Sequence, residues 1–258
     1  MESPLPRSLP AARARSQARW IGWIPVLLAL GCSGSERSIV SEVVYEPPLE
    51  RSVVVETVVD LPFESTWNQL VRRLSESSYR VATLEKASRF VRVDLARSSD
   101  LAAAANKPAR FVDCGRTTRT FYEGDAEPIR FGYAVAESSR HIQGDSVEGG
   151  FRVSEVDRRV DLEASATIFL QPEGTRRTRV TVKSRYTIEI EVSGRTTIHP
   201  LDADEPVGAP RSFGPRTESI RFTTFQPGRD TRQGGLTCRA TGDFEHALVA
   251  LANPAAAI

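Results

Sequence analysis

The sequence predicts an α+β fold in which a curved antiparallel sheet carries two helices on one face. The first observation is a strict period of two. Val160, Leu162, Ala164, Ala166, Ile168 and Leu170 fall on one side, and after Gly174 so do Val180, Val182, Tyr186, Ile188, Ile190 and Val192. Strands with one buried and one wet face belong to an antiparallel sheet covered on one side. The second observation is helical spacing at both ends of the body: Phe63, Trp67, Leu70, Val71 and Leu74 early, Phe244, Ala247, Leu248 and Leu251 late. Helices with a single apolar stripe need a sheet to bury it against.

The elements follow in order. Val53–Val59 is β-branched and reads as a strand. Pro62 opens the first helix, Glu64 suits its positively polarised first turn, and Gln69, Arg72, Arg73 and Glu76 take the wet face. Tyr79–Glu85 and Phe90–Leu95 read as a hairpin, the second strand alternating Val91, Val93 and Leu95 with Arg92 and Asp94. Residues 97–110 read as a connector with at most a helical turn, ahead of FVDCG. Ile129, Phe131, Tyr133 and Val135 alternate along another strand, and Ser138–Gly150 reads as a glycine-rich loop. Gly174 turns the long strands back on each other, and 199–216, with Pro200, Pro206, Pro210 and Pro215, reads as irregular. Asp243 and Glu245 begin the terminal helix. This order is that of a helix-grip or TATA-box-protein-like layer arrangement.

The first residues carry a different signal. Arg7, Arg13, Arg15 and Arg19 form a basic stretch, and the uncharged apolar segment Trp20–Leu30 follows. The segment is too short for a spanning helix, which takes about 20 apolar residues, and its order is that of a secretory signal. Ala29-Leu30-Gly31-Cys32 resembles the lipobox of bacterial lipoproteins, with Ala29 where leucine usually stands. The resemblance implies cleavage before Cys32, acylation of that cysteine and a durable membrane anchor. Ser33 resembles the sorting pattern of lipoproteins sent to the outer membrane, facing the periplasm. The expected organisation is a signal peptide over 1–31, a lipid-anchored tether over 32–50 and one α+β domain over 51–258. Extended, the polar stretch 33–50 reaches at most about 60 Å. Its Ile39-Val40 and Val43-Val44-Tyr45 leave docking on the body as the other outcome.

The chain has three cysteines. With Cys32 lipidated, Cys114 and Cys238 remain, and in an oxidising periplasm they are expected to pair; two buried free thiols are the alternative. No cysteine–histidine spacing points to a metal, and nothing calls for a cofactor. A net charge of +1 argues against nucleic acid, which takes a basic patch.

Residues 52–96, with Pro62, Trp67 and Leu70, resemble the repeated domain of BamC-type outer-membrane lipoproteins, in which a helix precedes a strand hairpin. Trp67 stands one place later than that pattern has it, and a second copy of the helical motif is missing. FVDCG and CRATGDFEHAL, with Cys114 and Cys238, look more like a group of proteobacterial lipoproteins with a two-cysteine pattern. The resemblance implies an accessory role in envelope or outer-membrane protein assembly, with envelope proteins as partners.

Residues that suggest chemistry have plainer readings. Gly144-Asp145-Ser146 and Asp243-x-x-His246 resemble the nucleophile block and the Asp/His pair of GDSL-type hydrolases. In that family the serine leaves the first strand of a parallel sheet, whereas Ser146 lies mid-chain in an antiparallel pattern. No catalytic role is therefore expected for Ser146 or His246. His141 and His199 read as surface histidines, Trp67 as core by its helical register, and the mixed charges of Val180–Val192 as a solvated face. The expected function is a non-enzymatic binding or scaffold role. The alternative is a carrier or sensor of a lipid or other apolar ligand, held in a cavity beneath the helix that begins at Pro62.

Overall fold

The computed structural model describes residues 39–95, 108–124, 126–201, 206–230 and 235–253; Cys32 and the signal segment lie outside them. In chain order the strands and helices are β1 (Ile39–Glu46), β2 (Glu56–Val59), α1 (Phe63–Ser75), β3 (Arg80–Glu85), β4 (Phe90–Leu95), α2 (Pro108–Phe111), β5 (Val112–Asp113) and β6 (Arg116–Glu123). Then come β7 (Ile129–Ala134), β8 (Ser139–Val147), β9 (Gly150–Glu173), β10 (Arg177–Pro200), β11 (Val207–Thr223), β12 (Gly228–Asp230), β13 (Leu236–Ala240) and α3 (Asp243–Ala252). The described chain is mostly antiparallel sheet with few helices, an α+β fold of the kind the alternation predicts.

The hairpin β9–β10 is its spine. Its strands have 24 residues each and pair continuously from Arg177↔Glu173 to Pro200↔Gly150, a ladder roughly 80 Å long if straight. Gly174 takes φ 69° at the turn, where a side chain would be strained. Each strand changes partner along its length. β9 pairs with β8 over Gly150–Arg158 and with β4 over Ala164–Phe169, whereas β10 pairs with β2 over Thr178–Thr181 and with β11 over Arg185–Ile198. β3 adds to β4 and forms one edge.

Helices α1 and α3 pack against each other and on β9 and β10. Trp67, Leu70 and Leu74 of α1 and Phe244 and Leu248 of α3 are buried with Val91, Val93, Ile168 and Ile188 of the strands. Trp67 is core, as its register requires. Arg73 of α1 donates to the Ala250 carbonyl at 3.2 Å, satisfying a terminal carbonyl of α3.

Three segments correct the sequence reading. Within Ser138–Gly150 lies strand β8, Ser139–Val147, closed onto β9 by the two-residue turn Glu148-Gly149, with Gly149 at φ 76°. Of residues 199–216, His199 and Pro200 end β10 and 207–216 lie in β11; 202–205 are outside the described residues. β11 is an outer strand, which tolerates prolines, and the register breaks between Val192 and Gly194 and between Thr196 and Ile198 where Pro215 and Pro210 fall. Strand β6, rich in threonine, was not anticipated.

β6 also relocates the presumed tether. β1 pairs with it from Ile39↔Glu123 to Glu46↔Arg116, and β7 pairs on its other side. This small sheet packs on β8 and β9 through Ile39, Phe121 and Phe151. Gly144 makes the approach possible: a β-carbon there would stand 2.3 Å from Ile39 Cγ2. So Ile39-Val40 and Val43-Val44-Tyr45 dock on the body, and residues 39–46 are part of it rather than tether.

Candidate functional site

A cleft opens between the small sheet and the β8–β11 end of the large one. Its floor is a row fixed by register: His141 lies opposite Val156, Val156 opposite Gly194, and Gly194 opposite Phe213. Gly194 is needed because a β-carbon there would meet the Phe213 ring at 2.7 Å and the Glu155 carbonyl at 2.1 Å. The inner part, about 520 Å³, is lined by Val43, Tyr45, Arg119, Tyr133 and Val135 of the small-sheet region and by Leu236. The outer part, about 710 Å³, is bordered by Phe131, Arg140, Glu155, Asp157 and Arg195. His141, Val156 and Phe213 line both. Each volume is that of a small-molecule site.

His141 is only 4% exposed, and neither ring nitrogen has a hydrogen-bond partner. Its ring stacks on Tyr133 at 5.5 Å. Burial, then the Arg119 and Arg158 guanidinium groups, lower its pKa to about 4. The imidazole is thus neutral at pH 7, with one N–H donor and one acceptor, both without a partner. Arg158 is buried, donates to the carbonyls of Glu137 (2.6 Å) and Val135, and lies over the Tyr133 ring. Burial lowers its pKa to about 10, which leaves it charged. Arg119 donates to Tyr133 Oη at 3.1 Å and to Gln143 Oε1 at 3.4 Å. Among the described residues no carboxylate forms an ion pair with Arg119 or Arg158, and none lines the inner cleft.

The buried imidazole makes acid stability a direct readout. The unfolded chain binds a proton near pH 6.5, whereas the folded one resists it to about pH 4. Stability contributed by neutral His141 is therefore whole above pH 6.5 and is lost as pH falls towards 4, by about 3 kcal/mol. In urea titrations at pH 7 and pH 4, the wild-type loss should exceed that of His141→Gln by this amount. Equal losses would contradict the buried neutral imidazole.

The surface reading of His141 is corrected: its strand pairs with β9, and Tyr133 of the small sheet stacks on its ring. His199 is half-buried on β10. Ser146 is exposed on β8 opposite Phe151, whereas His246 is exposed on α3. The neighbouring Glu245 bonds Tyr186, which pairs with Ala164, so thirteen β9 positions, roughly 40 Å, separate the two. The structure does not bring them together. The Cys114 and Cys238 sulfurs are bonded, Cys114 following β5 and Cys238 within β13. Cys32 lies outside the described residues. Among those residues no group of three or more His, Cys, Asp or Glu is placed to hold a metal ion, and no helix is long and apolar enough to cross a membrane.

A second buried polar cluster lies between α3 and the sheet. Glu245 is fully buried; its Oε1 accepts from Tyr186 Oη and Thr224 Oγ1, both at 2.7 Å, and its Oε2 has no partner. Burial, then the Glu245 charge, push the Tyr186 hydroxyl far up and keep it a donor. The sequence signal for Glu245 was misleading, since an acidic residue in the first turn of a helix is ordinarily a surface feature.

No protein-family model, curated protein or solved structure matches the chain.

Proposed function

We propose that the chain is a lipid-anchored protein of the bacterial outer membrane, facing the periplasm, that works by binding a small ligand in the cleft rather than by catalysis. The observation that carries the reading is His141, a buried imidazole with two unpartnered nitrogens in the wall of a cavity of ligand size. A buried polar group without a partner costs about 1–3 kcal/mol, and a bound ligand would recover part of that. This is the carrier or sensor reading with the pocket moved. The space beneath α1 is filled by Trp67, Leu70 and Leu74 with Phe244 and Leu248, so the helix-grip comparison supports a scaffold for the site rather than the site itself.

The anchor reading rests on the basic stretch, the short apolar segment and Cys32. Ile39, paired in β1, follows Cys32 by seven positions, so an acylated Cys32 lies at most about 25 Å from it. Cys32→Ala should abolish incorporation of radiolabelled palmitate and release the protein from the membrane fraction. Wild-type protein that never takes up the label would end the lipoprotein reading. Mass spectrometry of lipids and proteins recovered with the crosslinked wild type tests the binding reading. A small molecule recovered with the wild type should be lost with Val43→Trp, which fills the inner cleft from an exposed position on β1.

The scaffold reading keeps one favourable observation. Every residue of edge strand β3 is exposed, with Val81 at 41% and Leu84 at 49%. A strand of an envelope protein could add there, in keeping with the likeness of residues 52–96 to BamC-type lipoproteins.

A further inference from the structure

We infer that the cleft selects an amphipathic anion, its acid group held by Arg119 and His141 and its apolar body lying along Val43, Val135, Val156 and Leu236. This rests on the binding reading above and names the class of ligand. The charge argument is local. The inner cleft carries two guanidinium groups and no carboxylate among its described lining residues, although the whole chain is nearly neutral. Such a site disfavours cations and leaves positive potential in a half-enclosed, low-dielectric space. Arg158 is tied by carbonyls and aromatic stacking, so it supplies field from a fixed position. Arg119 has only neutral partners, the Tyr133 hydroxyl and the Gln143 amide oxygen, and can turn its charge to an incoming acid. Much of the remaining wall is apolar, with Val43, Val135, Val156, Val192, Phe213 and Leu236, so an acid group alone would leave that part of the space unfilled.

Binding should take up a proton. In the free protein His141 is kept neutral by burial and by two like charges. An anion offsets those charges, so the imidazole protonates more readily when the site is filled. By linkage the anion then binds more tightly at lower pH. The other groups facing His141 do not reproduce this. Tyr45 and Tyr133 bring phenols and Arg119, Arg140, Arg158 and Arg195 guanidinium groups, side-chain types that ordinarily titrate well above pH 7.5. Glu155 and Asp157 border only the outer cleft, and Asp157 already accepts from Arg140 at 3.2 Å. Glu218, on β11, acts on Arg158 rather than on the imidazole.

Calorimetric titration of the full chain with three amphiphiles, each below its micelle concentration, tests the inference: octane-1-sulfonate, octyltrimethylammonium and octyl glucoside. Octanesulfonate keeps its charge across the range, so any pH dependence belongs to the protein. It should bind about tenfold more tightly at pH 5 than at pH 7.5. His141→Gln should flatten that dependence, its affinity at pH 5 falling to its own value at pH 7.5, and Arg119→Met should weaken binding at both pH values. Equal binding of the cationic or neutral amphiphile would leave the binding cleft standing and overturn the anion class. Octanesulfonate affinity that is independent of pH would overturn the His141 role. No binding by any of the three would overturn the cleft reading itself.

Discussion

Replacing Phe244 by alanine is expected to cost about 3–5 kcal/mol, the range for a fully buried aromatic cut back to a methyl group. Phe244 is the hub through which α3 joins the sheet. Its ring meets Tyr79 at 5.7 Å, Phe111 at 6.0 Å and Tyr186 at 6.3 Å, the last two edge-on. Such edge contacts add to the area term because the positive ring edge meets a negative face. The neighbouring residue makes collapse into the hole costly. Glu245 can shift only by weakening its bonds to Tyr186 and Thr224, leaving a buried carboxylate less satisfied. The void should therefore persist rather than close. Urea denaturation should show the loss in full, and amide exchange should accelerate across α3 before the β9–β10 ladder. A loss below about 1 kcal/mol would mean that α3 is held by something other than this ring.

The parts of the fold that were legible are those in which one physical signal dominates. Val160–Leu170 and Val180–Val192 alternate cleanly because one face is covered by helices and the other is wet, and α1 and α3 show their stripes for the same reason. The missed strands break that condition. In β8 the positions opposite the small sheet include Gly144, chosen for close approach rather than for apolar area. In β11 the prolines lie at register breaks of an outer strand, so a residue type that argues against strands is compatible with this one. The candidate site was illegible for a related reason. Arg119, His141, Arg158 and Phe213 come from four different strands, and only the pairing of β8 with β9, of β9 with β10 and of β10 with β11 sets the last three side by side. No spacing along the chain encodes that meeting. The cysteine pair was legible because it depends on number and compartment rather than on sheet register.

Loss of the Cys114–Cys238 bond is expected to cost about 2–5 kcal/mol, for the double alanine variant as for the reduced wild type. The two residues are 124 apart in sequence, so the bond removes the freedom of a long loop from the unfolded chain; the chain-entropy model gives about 4.7 kcal/mol for a loop near 100 residues. The surrounding corner indicates where the folded chain loosens. β5 and β13 share only the pairs Arg239↔Asp113 and Ala240↔Val112, too few to hold a sheet alone. Tyr45 spans the corner: its hydroxyl lies 3.2 Å from the Cys114 carbonyl and 3.3 Å from that of Thr237, and it accepts the Thr237 N–H at 3.0 Å. Cutting the disulfide therefore lets β5 and β13 part and releases the end of β1 through Tyr45. α3 has its own hold in Phe244, Glu245 and Leu248 and should follow later. Amide exchange should thus accelerate first in Leu236–Ala240, Val112–Asp113 and the end of Ile39–Glu46, with Asp243–Ala252 lagging. Leu236 and Tyr45 also line the inner cleft. The same variant should therefore weaken octanesulfonate binding even where the global fold persists. Exchange beginning in Asp243–Ala252, with the corner still protected, would show instead that the bond clasps the terminal helix.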